Sequence, residues 1–146
     1  MKGQTSVEYL VLFSAILVLI ATFSYSLLGT SERKAKETLY LSQAGSASQL
    51  IASALEGVVS EGEGSVRTIT VKFDQQWNLK LRENEVRVEV LWEKVLVAVR
   101  PCRYGFQAEV SRLQPGTYPV IVGWPGDMEN LWLENGRIYL YIEPRE

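Results

Sequence analysis

Histidine is absent from the 146 residues of this chain. That absence removes the commonest general base near neutral pH and the commonest metal ligand. Hydrolase, metalloenzyme and proton-shuttle chemistry therefore lose their usual residue, and no other catalytic constellation or cofactor motif takes its place. Cysteine occurs once, as Cys102, which excludes an intrachain disulfide framework. A basic excess is missing too: the net charge is −2, where a nucleic-acid binder would show a basic stripe. All five prolines lie at or after Pro101, so the first hundred residues carry no helix breaker of that kind. No Asn-x-Ser/Thr sequon occurs, and N-glycosylation is not expected.

What is present is unevenly placed. Residues 9–31 contain no charged side chain, and residues 9–28 read YLVLFSAILVLIATFSYSLL. Twenty helical residues span roughly 30 Å, the thickness of a bilayer's hydrocarbon core. The run is apolar all the way round, as a lipid-embedded helix should be. It is longer than the roughly 7–15-residue apolar region of a cleaved secretory signal, and no small-x-small cleavage site follows it. A retained membrane helix is the expectation, with Ser14, Ala15, Ala21, Ser24 and Ser26 small enough for close helix approach.

After this run the pattern changes. Tyr40, Ala44, Ala47, Ile51, Ala54 and Val58 recur at alternating steps of four and three, one stripe of an amphipathic helix. Gly29 and Gly45 weaken that helix without stopping it, and Gly57 is expected to cap it. The spacing predicts a helix over 4–59 and a short SEGEGS linker over 60–65. Residues 66–146 should then form a β-rich head. Alternation marks strands near 69–73, 86–90, 94–99, 106–110, 118–122, 131–133 and 138–142. Asn135-Gly136 between the last two is a two-residue hairpin signal. The fold class is α+β: a long N-terminal helix, transmembrane then amphipathic, followed by an antiparallel sheet domain.

The first twelve residues, MKGQTSVEYLVL, carry the functional signal. Lys2-Gly3 precedes Gln4, Ser6 and Glu8, and Leu12 completes the pattern Q-x-S-x-E-x-x-x-L. This resembles the class III signal sequence of archaeal type IV pilins. The resemblance implies that a prepilin peptidase cuts between Gly3 and Gln4, so that residues 1–3 are a leader and the apolar helix stays on the mature protein. It also implies a pilus assembly platform and copies of the chain, or other pilins, as partners. The subunit would start in the cell membrane, N-terminus cytoplasmic and head outside, and end in an extracellular surface filament. Glu8, Tyr9, Leu12, Ile16 and Leu19 are the residues expected to carry assembly. Independently of the resemblance, an ionisable Glu8 at the edge of a membrane run is costly and tends to be paired. The amine freed at Gln4 of a neighbouring copy is the partner that the resemblance suggests. Charge alone leaves orientation open, because Lys2 stands on one flank and Arg33, Lys34 and Lys36 on the other; the signal decides for the N-terminus inside.

Other features read plainly. Trp77, Trp92, Trp124 and Trp132, with Tyr104, Tyr118, Tyr139 and Tyr141, have the chemistry of a sugar-binding face, but strand aromatics are ordinarily core or cross-strand pairs. Residues 138–142 are apolar on both faces, which asks for a central strand or a subunit contact. Asp127, Glu129 and Glu134 read as scattered surface carboxylates and Cys102 as a structural thiol, so no metal is expected. The leading reading is a structural filament subunit, major or minor, serving adhesion. A single-pass, membrane-anchored binding domain that does not polymerise is the alternative.

Overall fold

The computed structural model describes residues 2–144, with Lys2 and Thr5 described by backbone alone. It is one helix followed by eight strands: α1 (Lys2–Glu61), β1 (Val66–Phe73), β2 (Gln76–Arg82), β3 (Glu85–Leu91), β4 (Val95–Pro101), β5 (Ala108–Leu113), β6 (Gly116–Gly123), β7 (Asn130–Glu134) and β8 (Arg137–Tyr141). The chain divides into two compact units after Glu37.

In the first unit α1 is apolar on every side over residues 9–28. Its large apolar side chains from Val7 to Leu28 are between 45% and 84% exposed, with no buried stripe among them. It is long and apolar enough to cross a membrane. Near its end Glu32 and Lys36 form an i,i+4 ion pair at 2.8 Å. The acid stands N-terminal to the base, the order that suits the helix dipole.

The second unit begins at Thr38 and holds the core. Tyr40, Ala44, Ala47, Ile51, Ala54 and Val58 are all buried, as the spacing predicts, with Ala52 and Leu55 widening the stripe. They form one cluster with the inner faces of two four-stranded sheets, ordered β1-β6-β8-β7 and β4-β3-β2-β5. Alanines on the stripe let the helix approach closely. Polar contacts fix its height: Gln43 Nε2 donates to Asp74 Oδ2 at 2.6 Å, and Gln75 Nε2 donates to the Tyr40 hydroxyl at 3.2 Å. Phe73 stacks on Trp77 with ring centroids 4.1 Å apart, and Tyr40 meets Trp92 edge-on at 5.4 Å.

The helix ends differently from the sequence expectation. Gly57 lies inside α1 with the Arg67 guanidinium over it, and Arg67 pairs with Glu61. Gly62 is the cap: its φ of 98° takes the left-handed region, and its N–H donates to the Val58 carbonyl at 3.1 Å. That is the single-bond left-handed cap, which only glycine adopts without strain. Ser65 Oγ donates to the same carbonyl at 2.7 Å.

Pairing is antiparallel throughout except between β6 and β8. The chain leaves β6, makes β7 one strand-width away, and turns back through Asn135-Gly136 to insert β8 between them. A strand inserted beside an antiparallel β7 must run parallel to β6. The turn residues have φ of 51° and 73°, the positive values that the Asn-Gly signal requires. β8 is therefore central in its sheet. Ile138 and Leu140 are buried on one face; Tyr139 and Tyr141 are half-buried on the other. There Trp132 stacks on Tyr139 at 5.0 Å and meets Tyr141 edge-on at 5.1 Å. The Tyr141 ring occupies the space beside Gly123, 3.1 Å from where a β-carbon would stand. The aromatics are thus core or cross-strand pairs.

β2 is a strand that the sequence reading does not contain. Its Trp77, Leu79 and Leu81 are buried, at 0%, 0% and 1% exposure. It turns into β3 through Glu83-Asn84, without glycine or proline to mark the hairpin.

Candidate functional signal and helix

The candidate site is linear, and it is built by the first seven turns of α1. Gly3, Gln4, Ser6 and Glu8 are helical and exposed, and Leu12 follows one turn after Glu8. The side chain of Lys2, the remaining residue of the expected motif, lies outside the described residues. Glu8, Leu12, Ile16 and Leu19 are spaced four, four and three apart, which places them along one face, with Tyr9 bordering it three residues before Leu12. Tyr9, Leu12, Ile16 and Leu19 are 69%, 59%, 45% and 60% exposed. The helix therefore presents one carboxylate at the head of an unbroken apolar surface.

Three hydroxyls along this stretch bond to the helix's own backbone. Ser14 Oγ donates to the Leu10 carbonyl at 2.7 Å and Thr22 Oγ1 to the Val18 carbonyl at 2.8 Å. Thr30 Oγ1 does the same to Ser26 at 3.1 Å. Each bond runs back four residues, so the hydroxyl satisfies itself without a neighbour or water. In lipid or in a dry helix bundle an unpaired hydroxyl would cost several kcal/mol, about 4–8 on a hydrocarbon reference. Ser14 enters the sequence reading as a small residue only, and Thr22 not at all; the signal that finds them is a hydroxyl four residues after a helical carbonyl in an apolar run.

Residues 2–26 match the family model for the class III signal peptide. The match covers the Q-x-S-x-E-x-x-x-L pattern and most of the apolar run, and it is consistent with a type IV pilin-like prepilin signal. No curated protein and no solved structure matches the chain. A signal of this class implies processing by a prepilin peptidase and assembly of the pilus type. Together with the apolar helix it fits a membrane-anchored chain that then moves to the surface. One long N-terminal helix before antiparallel-rich sheets is the α+β architecture typical of type IV pilins.

The rest of the molecule offers little competing chemistry. A cavity of about 350 Å³ beside Tyr104 and Phe106 brings Glu83, Glu129 and Glu143 near Arg103, with no serine, cysteine or histidine among its lining residues. Cys102 is buried, and that burial pushes its thiol pKa up, away from a reactive thiolate. Among the described residues no group of three or more His, Cys, Asp or Glu is placed to hold a metal ion.

Proposed function

We propose that this chain is a structural subunit, major or minor, of an archaeal type IV pilus-like surface filament that serves adhesion. The observation that carries the reading is the class III signal match over residues 2–26, set directly on a helix whose apolar surface its own fold leaves uncovered. A prepilin peptidase would cut between Gly3 and Gln4 and leave the helix in place. The cut lies in the first turn of α1, where backbone N–H groups have no helical partner and unwinding costs least. The freed amine of Gln4 on one copy then pairs with Glu8 of another, while Tyr9, Leu12, Ile16 and Leu19 pack against neighbouring helices. The N-terminus is cytoplasmic and the head outside until assembly. A contact whose rotation does not close produces an open helical filament. Such a role is structural, and the chain is not an enzyme in this reading.

N-terminal peptide mass spectrometry on sheared surface material and on washed membranes tests the proposal. A peptide beginning at Gln4 in the sheared fraction is the expected result. A chain confined to membranes and still beginning at Met1 would overturn it in favour of an anchored binding domain. Glu8→Ala is expected to insert and to be cleaved, yet to reduce sheared filament yield at least tenfold. Normal yield from that variant removes Glu8 from the mechanism.

A further inference from the structure

Four strands are sheet edges: β1 and β7 in one sheet, β4 and β5 in the other. β5 and β7 lie alongside each other, whereas β1 and β4 have no strand on their far sides among the described residues. β4 is an unusual free edge. Its outward row, Val95, Val97 and Val99, is 54%, 40% and 42% exposed, and no charge interrupts it between Lys94 and Arg100. Soluble proteins ordinarily break such an edge with charge, proline or a covering element. The β3 residues opposite it are Leu91, Glu89 and Arg87; Arg87 pairs with Glu85 at 3.1 Å, and Glu89 with Lys80 of β2 at 3.0 Å. Beyond Leu91 the valine strip is therefore bounded by charge, not the margin of a broad apolar face.

β1 offers the complement. Its outward row is Val66, Thr68, Thr70 and Lys72, all exposed, with Val66 at 61%. A groove of about 210 Å³, lined by Ser42, Ser46 and Ala47 of α1 and by Thr70 to Lys72, leaves room along the strand.

We propose that β4 of one copy adds antiparallel to β1 of the next, with Val97 opposite Thr68. This rests on the filament reading and names the contact between heads within it. In that register Val99 faces Val66 and Val95 faces Thr70, so β-branched pairs run along the strip. Charge selects the partner, and the match of β-branched rows selects the register: a slip of two residues in one direction sets Val95 against Lys72, and in the other carries Val99 past the end of β1. Pairing β4 with a second β4 about Val97 would set Lys94 against Arg100 at both ends. Two different edges joined head to tail leave one β4 and one β1 free on every oligomer, so the association is open-ended.

Directly opposite residues in an antiparallel pair have Cα atoms about 4.5–5.5 Å apart, which suits a disulfide. The full chain carrying both Val97→Cys and Thr68→Cys is therefore oxidised mildly in sheared filaments and in washed membranes, then run without reductant. A ladder of dimers, trimers and higher species is expected, with each single variant remaining monomeric. Cys102 is 2% exposed and does not contribute. Melting of the double variant at the parent temperature establishes that its head is folded. Filaments beginning at Gln4 that yield no ladder overturn the edge pairing and leave the filament reading standing. Dimers from Val97→Cys alone overturn it in favour of β4 meeting β4. A ladder from membranes, in a chain still beginning at Met1, supports the pairing and overturns the filament reading.

Discussion

The two stretches of α1 share a backbone and solve opposite problems. Before Leu28 the side chains are apolar all round and stay 45% or more exposed wherever they are large. After Thr38 one apolar stripe is buried, with Ile51, Leu55 and Val58 fully covered, while Leu39, Leu41 and Leu50 lie off it and stay exposed. An amphipathic stripe finds its partner inside its own fold, because one covered face is all that it needs. A helix with no polar face finds none, since covering one side leaves the others bare. Such a surface suits lipid and, in the proposed filament, neighbouring helices. Composition per turn, more than helicity, therefore separates the part of the helix that is covered by its own fold from the part that is left bare.

Core truncation gives the largest effect that sharpens this contrast. All four tryptophans lie in the second unit, so their emission during thermal unfolding of the detergent-solubilised chain reports on that unit alone. Leu55→Ala removes a fully buried side chain and should cost about 2–5 kcal/mol, visible as a much lower melting temperature. Leu17→Ala, at a position that is half exposed, should leave that melting temperature unchanged. Equal losses from the two would mean that the apolar run is packed into the head's core.

A middle-sized effect tests the head's outer polar network. Glu89 is buried on the sheet's outer side, where burial pushes its carboxyl pKa up; hydrogen bonds from Lys80 and Asn78, with the charges of Lys80 and Arg87, outweigh that and hold it below the usual carboxylate range. A depressed native pKa adds stability that is present above the unfolded carboxylate's pKa and is lost as pH falls through the native one. Glu89→Gln should therefore cost about 1.5–3 kcal/mol near neutral pH and less with acidification, flattening the acid limb of the melting-temperature profile. An acid limb that stays as steep as the parent's assigns the loss to other carboxylates.

Legibility followed the range of the interactions involved. The signal motif was readable because its residues act in one local segment, and the buried stripe because burial repeats with the helical turn. The β7–β8 hairpin was announced by Asn135-Gly136, whose positive φ values few other pairs adopt. β2 escaped, although Trp77, Leu79 and Leu81 alternate cleanly, because Glu83-Asn84 gives its turn no glycine or proline. The parallel insertion of β8 is set by strands that are distant in sequence, and no local pattern encodes it. Nor does the alternation of Val95, Val97 and Val99 say that β4 is an edge. Edge position belongs to sheet order, which appears only when all eight strands are placed.

The smallest effect concerns glycine, and its sign should reverse within one helix. Gly45 has ordinary helical backbone and open space where a β-carbon would go, so nothing there needs glycine. Gly45→Ala should raise stability by about 0.4–1 kcal/mol, by restricting the unfolded chain and improving helix propensity. Gly62 also has open space around it, but its φ of 98° is a conformation that L side chains rarely adopt. Gly62→Ala should therefore lower stability by about 1–2 kcal/mol through backbone strain alone. Opposite shifts of the tryptophan melting curve place the functional end of α1 at Gly62 and not at Gly57. If Gly62→Ala were neutral, the helix would be ended by the Ser65 hydroxyl on the Val58 carbonyl without need of a left-handed cap, and the junction between helix and head would be held by a side chain instead of backbone.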